Sequence, residues 1–313
     1  MTTIDLGVSP DAADAVPPPI EEPWAGVPRR IGLTIAELRL ACAVIGAPMP
    51  FEVRTAESAS ALDARLGRSR RSAEDEAYAA AVTALGDPAV SLRARDLMHE
   101  DGADPARAAL DAGLAGALGL LATPEVAVEI DVVTDEVRIR SWQRQAGDVV
   151  ATLATADGLV FELAWFGVEH WPAELARVAA LPSEDDTDRP ASRVPDHVEV
   201  PFELADAVFE ALRAGRTDLV GVLTSGDATL TSTLTAFTTE TRGRLRAVVG
   251  AVPRPGDPTA ERPIGVTAWT LVADGWCALR TAITDGEPTL VITRVQPTDL
   301  AAELAPVLAE VAR

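Results

Sequence analysis

The stretch GVTAWTLVADGWCALRTAITDG, residues 265–286, decides the fold, because an earlier stretch of the chain repeats its pattern. Residues 137–158, VRIRSWQRQAGDVVATLATADG, also contain β-rich runs, a tryptophan and a closing Asp-Gly pair. Trp142 and Trp269 lie 127 residues apart (269 − 142), and Asp157 and Asp285 lie 128 apart (285 − 157). A spacing that is held over several elements indicates an internal duplication.

Each copy contains four short β-rich runs followed by an amphipathic helix. The runs are EVAVEIDVV, EVRIRSW, DVVATLAT and LVFELAWF in the first copy, and GRLRAVVGAV, PIGVTAWTLVA, GWCALRTAIT and TLVITRV in the second. The short turns between them are typical of an antiparallel meander. We predict an α/β (α+β) fold, a pseudo-twofold duplication of a helix–four-stranded antiparallel meander–helix unit. Unpaired strand edges favour two sheets that join edge to edge or pack on one another.

The predicted organisation places both copies in one compact domain. It comprises a disordered or loosely packed tail (1–30), a first α/β half (31–181), an acidic, Pro-rich linker (182–197) and a second α/β half (198–313). The segment PRPGDPTAERP, residues 253–263, is an insertion between the first two strands of the second copy.

Local signals predict the remaining elements. Thr34, with Glu37 three residues later, has the spacing of a capping box at the start of a helix. Further helices are predicted over 72–85, over 104–122 with Pro105 near the start, and over 201–215. Residues 51–54 are predicted to form a short strand and TSGD, residues 224–227, a hairpin turn, whereas 219–224 and 228–241 fit either strands or one helix.

The composition excludes several classes of function. The net charge is −21, and the only basic run is RLGRSRRS at 65–72, so nucleic acid and anionic membranes are poor partners. No apolar stretch approaches the roughly 20 residues of a membrane-spanning helix, and no signal peptide is evident. All 27 basic residues are arginine, which excludes a Walker A loop and a Schiff-base lysine. We therefore expect a cytoplasmic protein, monomeric or weakly dimeric.

A search for chemistry finds no catalytic pattern. The three histidines form no metal-binding motif, and the acidic run 184–188 is better explained as a solvated linker than as a cation site. Neither G-x-S-x-G nor a strand-linked G-x-G-x-x-G occurs, and Cys42 and Cys277 are expected to be buried, reduced thiols. We predict no catalytic residues, no cofactor and no metal.

The aromatic residues supply the candidate partner-binding surface. Strand alternation in RIRSWQR places Arg138, Arg140, Trp142 and Arg144 on one face, and Trp269 is the counterpart of Trp142 in the second copy. Tryptophan and arginine are enriched at interface hot spots, and helices can cover only one face of each sheet. The alternative for these tryptophans is packing in the core.

Several stretches resemble the EspG-type chaperones associated with ESX (type VII) secretion. They are LTIAELRLACAVIGAPMPFEV, LGLLATPEVAVEIDV, FGVEHWPAELARVAALP, VEVPFELADAVFEALRAG and VQPTDLAAELAPVLAEVAR, and together they cover about residues 31–313. The long N-terminal tail and the 253–263 insertion depart from the family pattern.

The resemblance implies a pseudo-twofold fold with a central antiparallel sheet and a C-terminal helical bundle. It also implies a cytosolic, non-enzymatic chaperone that keeps helical secretion substrates soluble, either PE–PPE-like pairs or WXG100-like heterodimers. The alternative is an enzyme or small-molecule-binding module that uses scattered carboxylates within the same fold.

Overall fold

The computed structural model describes residues 28–51, 70–100, 108–180, 191–251 and 262–311. Within these ranges the chain forms twelve strands and nine α-helices. The strands are β1 (Arg29–Thr34), β2 (Met98–Glu100), β3 (Ala108–Leu110), β4 (Val126–Thr134), β5 (Arg138–Ala146), β6 (Val149–Thr155), β7 (Val160–Gly167), β8 (His197–Pro201), β9 (Gly243–Ala251), β10 (Arg262–Val272), β11 (Gly275–Thr284) and β12 (Glu287–Val295). The helices are α1 (Ile35–Ile45), α2 (Arg70–Ala84), α3 (Pro88–Ala94), α4 (Ala112–Ala122), α5 (Trp171–Ala179), α6 (Phe202–Arg213), α7 (Thr217–Leu223), α8 (Ala228–Glu240) and α9 (Asp299–Val311).

Ten strands form one antiparallel sheet in the order β1-β7-β6-β5-β4-β9-β10-β11-β12-β8, and β2 pairs with β3 in a second, small sheet. The two predicted meanders are β4 to β7 and β9 to β12, and each is followed by a helix, α5 or α9. The fold class predicted from the repeat is confirmed.

The same connections occur around both meanders, with one strand in each that the sequence patterns did not predict. The last strand of each meander pairs with an earlier strand outside it, β7 with β1 and β12 with β8. Each of these added strands leads directly into a helix, α1 or α6. They were missed because RRIGLT and HVEVP are short and each contains only two large apolar residues.

The meanders join edge to edge through their first strands. β4 and β9 are antiparallel, with Val126 opposite Ala251 and Ile130 opposite Ala247. At the end of this ladder the strands approach so closely that a Cβ on Gly243 would lie 2.7 Å from the carbonyl oxygen of Val133. This pairing removes one exposed edge from each meander.

The predicted capping box at Thr34 is confirmed. The Thr34 hydroxyl accepts a hydrogen bond from the Glu37 N–H at 3.2 Å, and a Glu37 carboxylate oxygen accepts one from the Thr34 N–H at 2.7 Å. The helix ends at Gly46, whose φ of 70° is left-handed and suits a residue without Cβ.

The predicted helix over 104–122 is wrong in its first part. Ala108–Leu110 form β3, and the helix begins only after Asp111, whose carboxylate accepts a hydrogen bond from the Leu114 N–H at 3.0 Å. Pairing with β2 uses the backbone groups of 108–110 that a helix would need, so tertiary pairing overrides local propensity. Pro105 lies outside the described residues, as do 52–54 of the predicted short strand.

The region between 217 and 241 forms two helices, α7 and α8, and neither strands nor one continuous helix. The predicted hairpin turn at 224–227 is also wrong, because these residues connect the two helices. Ser225 and Gly226 both have positive φ, 53° and 79°, and Asp227 caps α8 by accepting from the Leu230 N–H at 2.9 Å. The helix forms because Leu230, Leu234 and Phe237 line one face that packs against α6.

The described chain divides into two compact units. The first comprises residues up to 125 together with 142–168, and the second comprises 126–141 and 169 onward. In the first unit α1 and α4 cover β6 and β7, with Leu38, Leu118 and Leu163 fully buried between them. The division predicted at the 182–197 linker remains a prediction.

In the second unit, helices lie on both faces of the sheet but over different strands. Helices α5 and α9 contact each other and pack on β4, β9 and β10. Helices α6, α7 and α8 contact one another, and their core joins Val272 of β10 and Cys277 of β11 to Leu290 and Ile292 of β12 and Val200 of β8. Because Thr270 is the partner of Cys277, this bundle lies on the face opposite α5 and α9.

Candidate protein-binding surface

One face of β4, β9 and β10 carries side chains that no helix of the second unit buries. Alternation separates the two faces: Val128, Ile130, Leu245, Ala247 and Trp269 are buried on the α5–α9 side. The residues between them are exposed or half-buried. We call these residues and the adjacent start of β5 the open face; it comprises Glu129, Asp131, Val133, Arg138, Arg140, Arg244, Arg246, Val248, Val266, Ala268 and Thr270.

The strand register arranges the open face in rows. Glu129 lies opposite Val248, which lies opposite Val266. In the next row Asp131 lies opposite Arg246, which lies opposite Ala268. Val248 and Val266, of which Val266 is 54% exposed, thus form an apolar pair, called the apolar row below, beside the charged pair Asp131 and Arg246. Adjacent apolar side chains on an uncovered sheet face supply contact area for a protein partner.

The open face is basic although the chain is strongly acidic. It holds four arginines against two carboxylates, in a chain with a net charge of −21. Arg138 donates to both carboxylate oxygens of Asp131, at 3.2 and 3.3 Å. Arg244 and Arg246 are exposed and make no ion pair with any residue in the described ranges. They are therefore available to anionic groups of a partner.

The structure separates the five residues predicted to bind a partner. Arg138 and Arg140 lie on the open face, with the Arg138 side chain 58% exposed. Trp142 is only 6% exposed and stacks on Phe51, with ring centroids 4.6 Å apart, in the core of the first unit. Alternation alone groups it with Arg138 and Arg140, but packing buries it.

The other two predicted residues are buried as well. Arg144 is 7% exposed. Trp269 is 1% exposed, and its ring centroid is 6.3 Å from that of Trp276. Its indole N–H donates a hydrogen bond to the Glu303 carboxylate of α9 at 3.0 Å. In the isolated chain, Arg138 and Arg140 are the two members of the predicted set that a partner can reach directly.

The residues of β9 and β10 that complete the open face were not among those predicted to bind a partner. The signal was present: in GRLRAVVGAV the alternation places Arg244, Arg246 and Val248 on one side and Leu245, Ala247 and Val249 on the other. What the sequence did not reveal was which side the closing helix α9 would cover.

The described residues offer little to a catalytic or metal-binding interpretation. No group of three or more His, Cys, Asp or Glu side chains among them could hold a metal ion. Burial raises the pKa of the Cys42 thiol to about 11, so this thiol is neutral and unreactive at neutral pH. No helix in the described part of the chain has the length and apolar character needed to cross a bilayer.

Comparison with known proteins identifies the fold of the chain. No family model and no curated protein matches the chain. Among solved structures, it is similar to the type VII secretion system chaperone EspG5 of Mycobacterium tuberculosis, which was solved in complex with a PE25–PPE41 dimer. The two have a TM-score of 0.58 and 12% sequence identity, over 90% of this chain and 96% of the other.

The chain has the EspG5 fold. The coverage of both chains means that the resemblance includes both meanders and their helices rather than one of them. At 12% identity it concerns the path of the backbone, so no residue of the open face is assigned from EspG5.

Proposed function

We propose that the protein is a cytoplasmic chaperone specific for type VII (ESX) secretion. It binds a helical secreted pair, PE–PPE-like or WXG100-like, and keeps the pair soluble without catalysing a reaction. The observation that supports this most strongly is the match of nearly the whole chain to EspG5, a type VII secretion chaperone solved with a PE25–PPE41 dimer. The net charge of −21 favours solubility and a monomeric or weakly dimeric state.

The open face is the proposed binding surface. Its exposed Val266 and half-buried Val248 supply apolar area, and Arg138, Arg140, Arg244 and Arg246 lie to one side of that area. Protein interfaces combine apolar contact area with polar groups of this kind. Trp142, Arg144 and Trp269 are buried and lie outside the proposed surface.

Co-expression tests the proposal directly. The full-length protein, tagged, is expressed with untagged candidate secreted pairs from the same genome, and retention of the pair is measured after gel filtration. We expect a 1:1:1 complex and a pair that precipitates when the chaperone is left out.

A matched pair of variants locates the surface. Val266→Asp places a charge in the apolar row and should abolish the complex. The control, Val222→Asp, changes a valine that is 73% exposed on α7, outside the open face, and should leave the complex intact. A pair that stays bound to Val266→Asp would place the interface elsewhere. If no helical pair is retained and a small molecule binds instead, the alternative of a ligand-binding module or enzyme replaces the proposal.

A further inference from the structure

We infer that the open face selects its partner by carboxylates on an amphipathic helix, docked along β9 beside Arg244 and Arg246. This deepens the proposed function, on which it rests for the statement that the partner is helical. Three features of the face support it: its charge contrast, the spacing of its arginines and the position of its apolar row.

The charge contrast identifies the partner's sign. In a chain with 48 acidic and 27 basic side chains, a solvent-exposed group of four arginines and two carboxylates is a local reversal of sign. Because the chain as a whole is acidic, most of its surface repels an acidic partner. Such a partner is therefore attracted mainly to the open face. Complementary charge of this kind contributes to specificity and association rate more than to affinity.

The spacing of the arginines identifies the geometry. Arg244 and Arg246 are two residues apart on β9 and are both exposed on the same face, so their Cα atoms are about 7 Å apart. Carboxylates at positions i and i+4 of a helix are separated by a rise of roughly 6 Å. One helix laid along β9 therefore presents two glutamates or aspartates to the two guanidinium groups at once.

The apolar row supplies the rest of the contact. Val248 follows Arg246 by two residues on the same face of β9, and Val266 lies directly opposite Val248 on β10. A helix with leucine-sized side chains one turn beyond its carboxylates would cover both valines. Neither valine alone gives specificity, and the arginines alone give little affinity, so the face requires both features in its partner.

Two synthetic peptides test the inference with the full-length protein. Both are helical and about 18 residues long, or five turns, with a leucine stripe; one has glutamates at i and i+4 beside the stripe and the other has glutamines there. Binding is measured by fluorescence anisotropy. We expect the glutamate peptide to bind more tightly, and its advantage to fall as the Debye length shrinks from about 10 Å in 0.1 M salt to about 3 Å in 1 M.

Variants assign the effect to the two arginines. Arg244→Gln and Arg246→Gln should each weaken the glutamate peptide about two- to fivefold, the range for exposed ion pairs, and leave the glutamine peptide unchanged. The control, Arg213→Gln with Arg216→Gln, removes two arginines of α6 and the α6–α7 connection, and should change neither.

The outcomes distinguish this inference from the proposed function. Equal binding of the two peptides, binding of neither, or an equal loss in the control overturns the inference. If the co-expressed pair is retained in that case, the chaperone function stands without the carboxylate selectivity. If the arginines discriminate between the peptides but no secreted pair is retained, the inference stands and the proposed function fails.

Discussion

The indole N–H of Trp269 on β10 donates a hydrogen bond to the carboxylate of Glu303 on α9 at 3.0 Å, and Arg280 of β11 pairs with the same carboxylate. One acidic side chain, 10% exposed, thus attaches the C-terminal helix to two strands. The α9 helix covers the face of the sheet opposite the open face, so this contact is one of those that hold α9 on the covered face.

Glu303→Ala should destabilise the fold by about 1–3 kcal/mol, because it leaves the buried indole N–H without an acceptor. Glu303→Gln retains an acceptor and should cost less. Urea denaturation measures both, with Glu310→Ala, an exposed glutamate on the same helix, as control. Equal stability of Glu303→Ala and Glu310→Ala would show that the contact contributes nothing.

Gly265 on β10 lies against α9 so closely that a Cβ there would be 2.7 and 2.8 Å from the two methyl carbons of Val307. Gly265→Ala should therefore cost about 1–3 kcal/mol through overpacking. Adding Val307→Ala removes the clash and should recover part of that loss. Gly221→Ala, on α7 with open space around the new methyl group, is the comparison and should be neutral or stabilising. Thermal melts of the four proteins check this.

Glu37 predicts a dependence of stability on pH. Burial by itself raises the pKa of Glu37, but hydrogen bonds from Ser91 and Thr34 and the charge of Arg95 outweigh it and lower the pKa below its ordinary value. A group with a lowered pKa in the folded state stabilises it above the unfolded pKa, about 4.3, and this stabilisation is lost as the pH falls through the folded pKa.

Glu37→Gln should accordingly lose stability at neutral pH and show a shallower decline below about pH 4.3 than the wild type. Free energies of unfolding from pH 7 downward measure the difference. Glu203→Gln, at an exposed position of α6, is the control and should follow the wild-type curve. A parallel decline in Glu37→Gln and wild type would contradict the prediction.

Variants of Trp142 and Arg140 should distinguish a residue that packs in the core from a residue that contacts the partner. Trp142→Ala removes a buried ring that stacks on Phe51, with Phe161 close by, and should cost about 3–5 kcal/mol. Arg140→Glu changes an exposed side chain, and we expect a small change in stability with a weaker complex. Calorimetry measures the stability of both variants, and the co-expression assay measures their binding. Full binding by Arg140→Glu would show that this residue is not part of the interface.

Much of the fold could be predicted from residue patterns. Alternating runs separated by Asp-Gly and Gly-Asp turns specified the strands of both meanders, since side-chain period and turn residues act within a few positions. The turn at Asp285 and Gly286 forms as expected, with φ of 54° and 86° between the paired residues Thr284 and Glu287. The capping residue Thr34 likewise specified the start of α1 by a contact three residues away.

The errors share one cause, which is competition from distant partners. Residues 108–110 pair with β2 instead of extending a helix, and β1 and β8 form because the last strand of each meander offers an unpaired edge. No local pattern in RRIGLT or HVEVP specifies that pairing. The helix–strand ambiguity of 228–241 was likewise resolved by burial against α6.

The sequence by itself determined the repeated unit, the strands of both meanders with their turns, and the strong acidity, because these depend on neighbouring residues and on composition. Only the tertiary structure decided that Trp142 and Trp269 are buried and that Arg244, Arg246 and Val266 are exposed. Alternation assigns residues to two faces, but which face becomes covered depends on where helices far along the chain pack. The candidate surface is therefore a product of long-range packing.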